Sequence, residues 1–592
     1  LCIDGWLEGD IVLNGGTLQV DADTTISSDS KISLSSSSNL KIVGGSSLTY
    51  EGDALSLDNK TLSLTGGGSL VLKSDGSNPV TLNNADGELE FSGTSATTTV
   101  SHVKISSGDT SNAPTLKMSS NGIIQNLAHE EFSEINFASG KTLSVEQAFE
   151  VPAGKQMTIT GVAGTLALGD NMTLSGTLNL PIADTTISGG TVTLNGGTLQ
   201  VDEDINFISD LAQQADSNIV VANGKNLNYT GNVFNVGAQM LTLSGAGVFA
   251  NTNYLTLNDP ASSLKLNGIS RVDNVSISAA LTSGKLEIAQ NATIENLSHT
   301  GSSRLDIDNS KVLTLTNAFE IPSSQSMELI GSGGGILSLT ETLKLKGNLQ
   351  FSAPDYSLKN GNLELNDGSL LDVDYHTIIE SNIVLLGNTT VDVAQGISLE
   401  YRGNAIDLLN YQLTFLGSGT FLNTNAILLS NSGSLLILAG DITIVLIEVT
   451  GNSAAGKGIR VESAGASITN LNLLADMGLT FIDDAYELNV ENLNVNSPAQ
   501  LTGDGNGGWL KVLVLGQNTA NDKLSLHDIN VSVEDEIDVF FEGQIVMTGN
   551  TIFDSIGGLT INLNGAMNFN GTVPANINLN QDKMCITDNT TL

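Results

Sequence analysis

The chain has 592 residues, 63 of them acidic and 23 basic, for a net charge of −40, yet only 15% are charged and 40% are hydrophobic. The negative excess argues against nucleic acid and anionic membranes as partners, and the apolar fraction excludes an acidic disordered chain. Gly 63 against Pro 9, with a mean hydropathy of +0.09, is the composition of short strands joined by turns.

In chain order, the first stretch that matters is "LNGGTLQVD", Leu13 to Asp21. It returns letter for letter at Leu194 to Asp202 and in altered form as "LNDGSLLDVD" from Leu365 to Asp374. Around it the apolar residues alternate with polar ones, as strands with one buried face do. Anchor rows run Leu13, Leu34, Leu55, then Leu18, Leu40, Leu62, then Ile26, Leu48, Leu70. Each row advances by 21 or 22 residues, with three anchors per turn. That periodicity predicts an all-β parallel β-helix, a β-solenoid with about three strands and roughly 21–22 residues per coil. Gly, Asn, Asp and Ser mark the corners, where a positive φ or a side-chain bond is needed.

A longer period lies over the coil. "LTYEGDALSLDNKTLSLTGGG" from Leu48 is answered from Leu227 and from Leu399, and "IQNL" at Ile124 by "IENL" at Ile294 and "ITNL" at Ile468. The spacing of roughly 170–180 residues, about eight coils, divides the chain into super-repeats 1–181, 182–352 and 353–523 and a partial fourth, 524–592. No Pro- or Ser-rich linker separates them, so one continuous solenoid is expected; at ~4.8 Å per coil, about 27 coils would make a rod of roughly 130 Å. "SDLAQQADSN", Ser209 to Asn218, breaks the pattern and is expected to form a side loop with a turn or two of helix. No run of ~20 apolar residues exists, so no membrane-spanning helix is expected. The chain opens "LCIDGW" without Met, which reads as a processed or excerpted chain.

Candidate chemistry is thin. The five histidines, His102, His129, His299, His376 and His527, form no cluster with acids, and His129 and His299 recur at one repeat position, as structural residues would. Catalysis is therefore not expected. Asp21 and Asp23, Asp202 and Asp204, and Asp372 and Asp374 each form a D-x-D pair at the end of the signature strand. Alternation would place each pair on one face about 7 Å apart. They are the candidate metal ligands, for Ca²⁺, although calcium wants six to eight oxygens; solvated turn acids are the alternative, and no other cofactor is expected. "TGDGNGG" from Thr502 is a faint calcium-loop likeness. Tyr50, Tyr229 and Tyr401 recur at one phase, and Phe149, Phe319 and Tyr486 at another, which favours packing over ligand stacking.

Cys2 and Cys585 stand one near each end. On a straight rod they are too far apart to pair within one chain. An intermolecular disulfide between neighbouring copies stacked head to tail is the expectation, in an oxidising extracellular setting; separate burial is the alternative.

The coil repeat and the Asn/Ser/Thr/Gly-rich, Cys-poor composition resemble the bacterial parallel β-helix surface proteins, of the autotransporter-passenger and haemagglutinin-like adhesin type. The resemblance is one of architecture over the whole chain, and no functional residue carries over. It implies a cell-surface location. The reading is thus a structural subunit of an extracellular filament, fibre or surface matrix, self-assembling head to tail through uncapped terminal coils, with other surface or matrix components as further partners. The alternatives are an adhesin stalk or passenger and, behind it, a polysaccharide-active β-helix enzyme.

Overall fold

A computed structural model describes residues 1–474 apart from 73–77, 94–96, 110, 453 and 455–456. Beyond 474 it describes strands, with side chains only at 479, 488–494 and 501. Tyr486 and the glycine loop 503–508 fall outside the described residues, as do the side chains of Trp509, His527, Cys585 and the rest of the fourth repeat.

The described residues are all-β, with no helix, and wind into a parallel β-solenoid of about 21 coils with turns of about 22 residues. None of their elements is a helix long and apolar enough to cross a membrane. By contacts the chain divides into two compact units, Leu1–Ser298 and His299–Leu592.

Within the first unit each coil stacks its inward residues on those of the coil before. One row runs Leu62, Leu89, Leu116, Ile135, Ile159, each hydrogen-bonded in parallel register to the next strand and each fully buried. The second unit repeats the arrangement in the row Leu329, Phe351, Val373, Val393. Removing such a side chain from water contributes about 1.5–3 kcal/mol, and it does so once or more per face of every coil. Corners differ in sharpness. Strand Thr98–Ile105 is continuous around one of them, pairing through Thr99 and Val100 with Ser69–Leu72 and through Val103 to Ile105 with Val80–Leu82.

The repeated anchors sit where the sequence puts them. Leu55, Phe234 and Ile406, Leu62, Leu241 and Leu413, and Leu70, Phe249 and Phe421 are all at most 2% exposed. The rows themselves need correction. Leu40 stacks on Leu64, not Leu62, and Ile26 on Tyr50, not Leu48. A slip of two residues along a strand leaves the same face inward, so alternation fixes which residues are buried but leaves the register open by two. Coil lengths vary accordingly, from 17 residues between Ile3 and Val20 to 30 between Leu70 and Val100.

The expected helical side loop is also corrected. Asp210–Ala215 is a strand paired with Thr191–Asn195, and the register shift between Leu194 and Asn195 takes up one extra residue as a bulge. The pull of the ladder, with Leu211 buried in the core, overrides a locally helix-compatible sequence.

The glycine signature has a steric cause. Gly66, Gly245 and Gly417 hold φ of +95°, +79° and +79°, and an added Cβ at each would be driven into a carbonyl oxygen of the preceding coil, that of Ile42, Val221 or Val393. These are the first glycines of "GGG", "GAG" and "GSG" in the three copies.

Candidate functional site

The acidic corners are built alike in the first two copies. Leu18 and Val20 point inward, so Gln19 points out, and the chain then bends through Asp21 to Asp23 before it re-enters the next face at Thr24. The bend turns the two carboxylates to different tasks. Asp21 accepts from Gln19 Nε2 at 2.6 Å, while Asp23 Oδ1 accepts from the backbone N and the Oγ of Ser47 at 2.9 and 3.0 Å. In the second copy Asp202 accepts from Gln200 Nε2 at 2.5 Å, and Asp204 accepts from the backbone N and the Nδ2 of Asn226 at 2.8 and 2.9 Å. Lys225 lies beside that corner, 2.5 Å from Glu203. The second Asp of each pair thus fastens one coil to the next.

The third copy is out of phase with the other two by two residues. Asp374 takes the place of Asp21, accepting from Gln350 Nε2 at 2.9 Å. His376 takes the place of Asp23, its Nδ1 lying 2.7 Å from Ser398 Oγ, and Ser398 corresponds to Ser47. Asp372 therefore replaces the outward glutamine, in register between Gln350 on one side and Asp392 on the other. Burial, together with Asp374 and Asp392 beside it, pushes its carboxyl up to about 6. Among the described residues no group of three or more His, Cys, Asp or Glu is placed to hold a metal ion.

Cys2 is exposed and free on the first strand, Cys2–Leu7. His129 and His299 are 4% exposed, each with Nε2 2.8 Å from a serine Oγ four residues on, Ser133 and Ser303. Burial lowers both to about 4, so both are neutral imidazoles at pH 7. The recurring tyrosines are core residues with a satisfied hydroxyl. Tyr50, Tyr229 and Tyr401 are at most 1% exposed, and each Oη accepts the backbone N–H of the residue 18 positions earlier: Ile32, Leu211 and Ile383. Phe149 and Phe319 are buried as well.

One surface feature was not read from the sequence. A groove of about 500 Å³ lies on the first unit. Its floor is a single ladder row on five successive coils, Glu88, Thr115, Glu134, Thr158 and Asn179. One wall is formed by Asp109, Ser111, Asn112 and Ala113, with Asn112 Nδ2 donating to Asp86 Oδ1 at 2.8 Å. The signal available in the sequence was a departure from the repeat. At the matching places of the second copy stand Lys285, Arg304 and Glu328, and the connection from Ile277 to Leu286 is two residues shorter than that from Ile105 to Leu116.

The fold defines the chain as a parallel β-solenoid. In comparisons with protein-family models, curated proteins and solved structures, the chain matches none.

Proposed function

We propose that the chain is a non-catalytic structural β-solenoid of a cell surface or extracellular matrix, a subunit of a filament or fibre. The observation that carries this reading is the repetition of the same interior bonding from copy to copy. Tyrosine hydroxyls, glycine corners and acid-to-amide clasps recur at matching positions, and their evident work is to lock coil on coil. A stack of this kind gains stability with length, because each added coil satisfies the edge of the last. Self-association between copies belongs to the proposal, with exposed Cys2 joined to Cys585 of a second copy in an oxidising setting.

Negative-stain microscopy of the purified chain, alongside electrophoresis with and without reductant, tests the reading. Fibres, together with a ladder of bands that collapses to monomer on reduction, are expected. Discrete particles and monomer in both lanes would sink it. The loop-walled groove favours a second reading, an adhesin stalk, in which the solenoid displays a binding surface without polymerising.

A further inference from the structure

We infer that the groove on the first unit is a binding site for a neutral, linear, polyhydroxylated chain: a glycan lying along the solenoid axis. The inference holds whether or not the solenoid assembles.

The floor spans five coils, four steps of ~4.8 Å, or roughly 19 Å, enough for several sugar rings laid end to end. Its groups alternate carboxylate and hydroxyl and end on an amide: Glu88, Thr115, Glu134, Thr158, Asn179. Hydroxyls and amides both donate and accept, whereas an ammonium or guanidinium only donates. A ligand rich in hydroxyls can donate to the carboxylates and also accept from the row's O–H and N–H donors, whereas a cationic side chain can only donate and leaves those donors unpaired.

The carboxylates are partly engaged and held in place. Glu134 Oε1 accepts from Thr160 Oγ1 and Asn136 Nδ2, and Glu88 Oε1 lies 3.5 Å from Lys117 Nζ. At the end of the row, Asn179 Oδ1 is buried with no hydrogen-bond partner, an acceptor waiting for a donor. A buried acceptor left unpaired is costly, so a donor from a ligand hydroxyl is favoured there.

The walls are preorganised. Asp109 Oδ1 accepts from Ser111 N and Oγ at 2.7 and 2.6 Å and from Asn112 N at 3.0 Å, which holds these three wall residues together. Phe132 lines the groove and adds apolar surface to it, with Lys155 Nζ over its ring at 5.6 Å from the centroid. Acidic polymers are disfavoured because Asp86, Asp109, Glu88 and Glu134 all border the space.

The second copy shows what a closed version of this surface is like. Lys285 stands where Thr115 does and pairs with Glu287 at 2.9 Å. Arg304 stands where Glu134 does and lies 3.4 Å from Glu328, the counterpart of Thr158. In the second copy ion pairs stand where the first has Thr115, Glu134 and Thr158, so the groove is a departure confined to the first copy among these two.

Isothermal titration of the intact chain tests the inference with cellohexaose, N-acetylchitohexaose and mannohexaose, and with hexagalacturonate and hexalysine as charged controls. Saturable binding of at least one neutral hexasaccharide at one site per chain is expected. Glu134→Gln and Asn179→Ala should each weaken it about tenfold, the scale of one hydrogen bond to a well-placed group. Thr115→Lys, which imports the second copy's residue on an outward strand face, should abolish it while circular dichroism stays unchanged. Failure of all three neutral sugars, indifference to all three variants, or tighter binding of either charged control would overturn the inference. Fibre formation is scored separately by microscopy, so a failure of the assembly reading leaves this result interpretable.

Discussion

At the scale of single residues, the buried polar groups carry the clearest consequences. Tyr229 Oη accepts from Leu211 N at 3.2 Å and donates to Asn232 O at 2.6 Å. Tyr229→Phe keeps the ring and orphans both backbone groups, so a loss of about 1–3 kcal/mol is expected in denaturant melts. His129 and His299 titrate near 4 when folded, against an ordinary 6.5. The unfolded chain therefore binds protons that the fold refuses, and stability is full above pH 6.5 and falls as pH drops towards 4, by roughly 3 kcal/mol per histidine. Thermal melts at pH 7 and pH 4.5 should show the drop, and His129→Asn should remove about half of the histidine-dependent part. Asp372 acts in the opposite sense. Its folded carboxyl is held near 6, above the ordinary aspartate value, so its stabilising contribution is present at low pH and is lost as pH rises through 6. Asp372→Asn should stabilise the chain by about 1 kcal/mol at pH 8, allowing for solvent screening, and change little at pH 4. An unchanged melt at pH 8 would show that Asp392 and Asp374 exert no effective repulsion there.

At the scale of the element, corners decide more than strands. Gly245 and Gly196 share a positive φ, +79° and +82°, but differ in their surroundings. A Cβ at Gly245 would be driven into Val221 O, whereas at Gly196 the nearest atom, Asp216 O, is 4.0 Å away. Both alanine variants carry the left-handed strain of about 1–2 kcal/mol, and Gly245→Ala adds a clash with the preceding coil. Gly245→Ala should therefore lower the melting temperature clearly more than Gly196→Ala, and equal losses would refute the steric account. Buried asparagines serve other corners. Asn251 and Asn423, 1% and 3% exposed, each donate to two backbone carbonyls and accept from two backbone amides of the following coil. The "IENL" and "ITNL" matches belong to the same device, with Asn296 Nδ2 bonded to Asn274 Oδ1 and Asn492 Nδ2 to Asn470 Oδ1.

At the scale of the whole molecule, charge and possible cations are the levers. A net charge of −40 destabilises any compact state by self-repulsion, and salt screens it. Raising sodium chloride from about 10 to about 150 mM should raise the melting temperature. The acidic corners engage their oxygens with Gln19, Ser47, Gln200, Asn226 and Gln350. EDTA is accordingly expected to leave the melt unchanged at fixed ionic strength, and a fall of several degrees would restore calcium at the D-x-D pairs.

The sequence by itself determined the class of fold and the inward residues, because alternation and a 21–22-residue period are local and survive any small error of register. The burial of Leu62, Phe249 and Tyr401 followed from that alone. Only the tertiary structure decided what stacks on what, since a strand shifted by two residues presents the same face. Hence Leu40 meets Leu64, Ser209 to Asn218 joins the ladder, and His376 rather than an aspartate holds the third corner. The D-x-D pairs are candidate ligands on spacing along the chain alone. In the first two copies the second Asp of each pair is bonded to the coil beside it, Asp23 to Ser47 and Asp204 to Asn226, while the first accepts from the glutamine two residues earlier on its own strand. The groove was hidden for the same reason: its row joins residues 19 to 27 positions apart, which only the winding of the coils brings side by side.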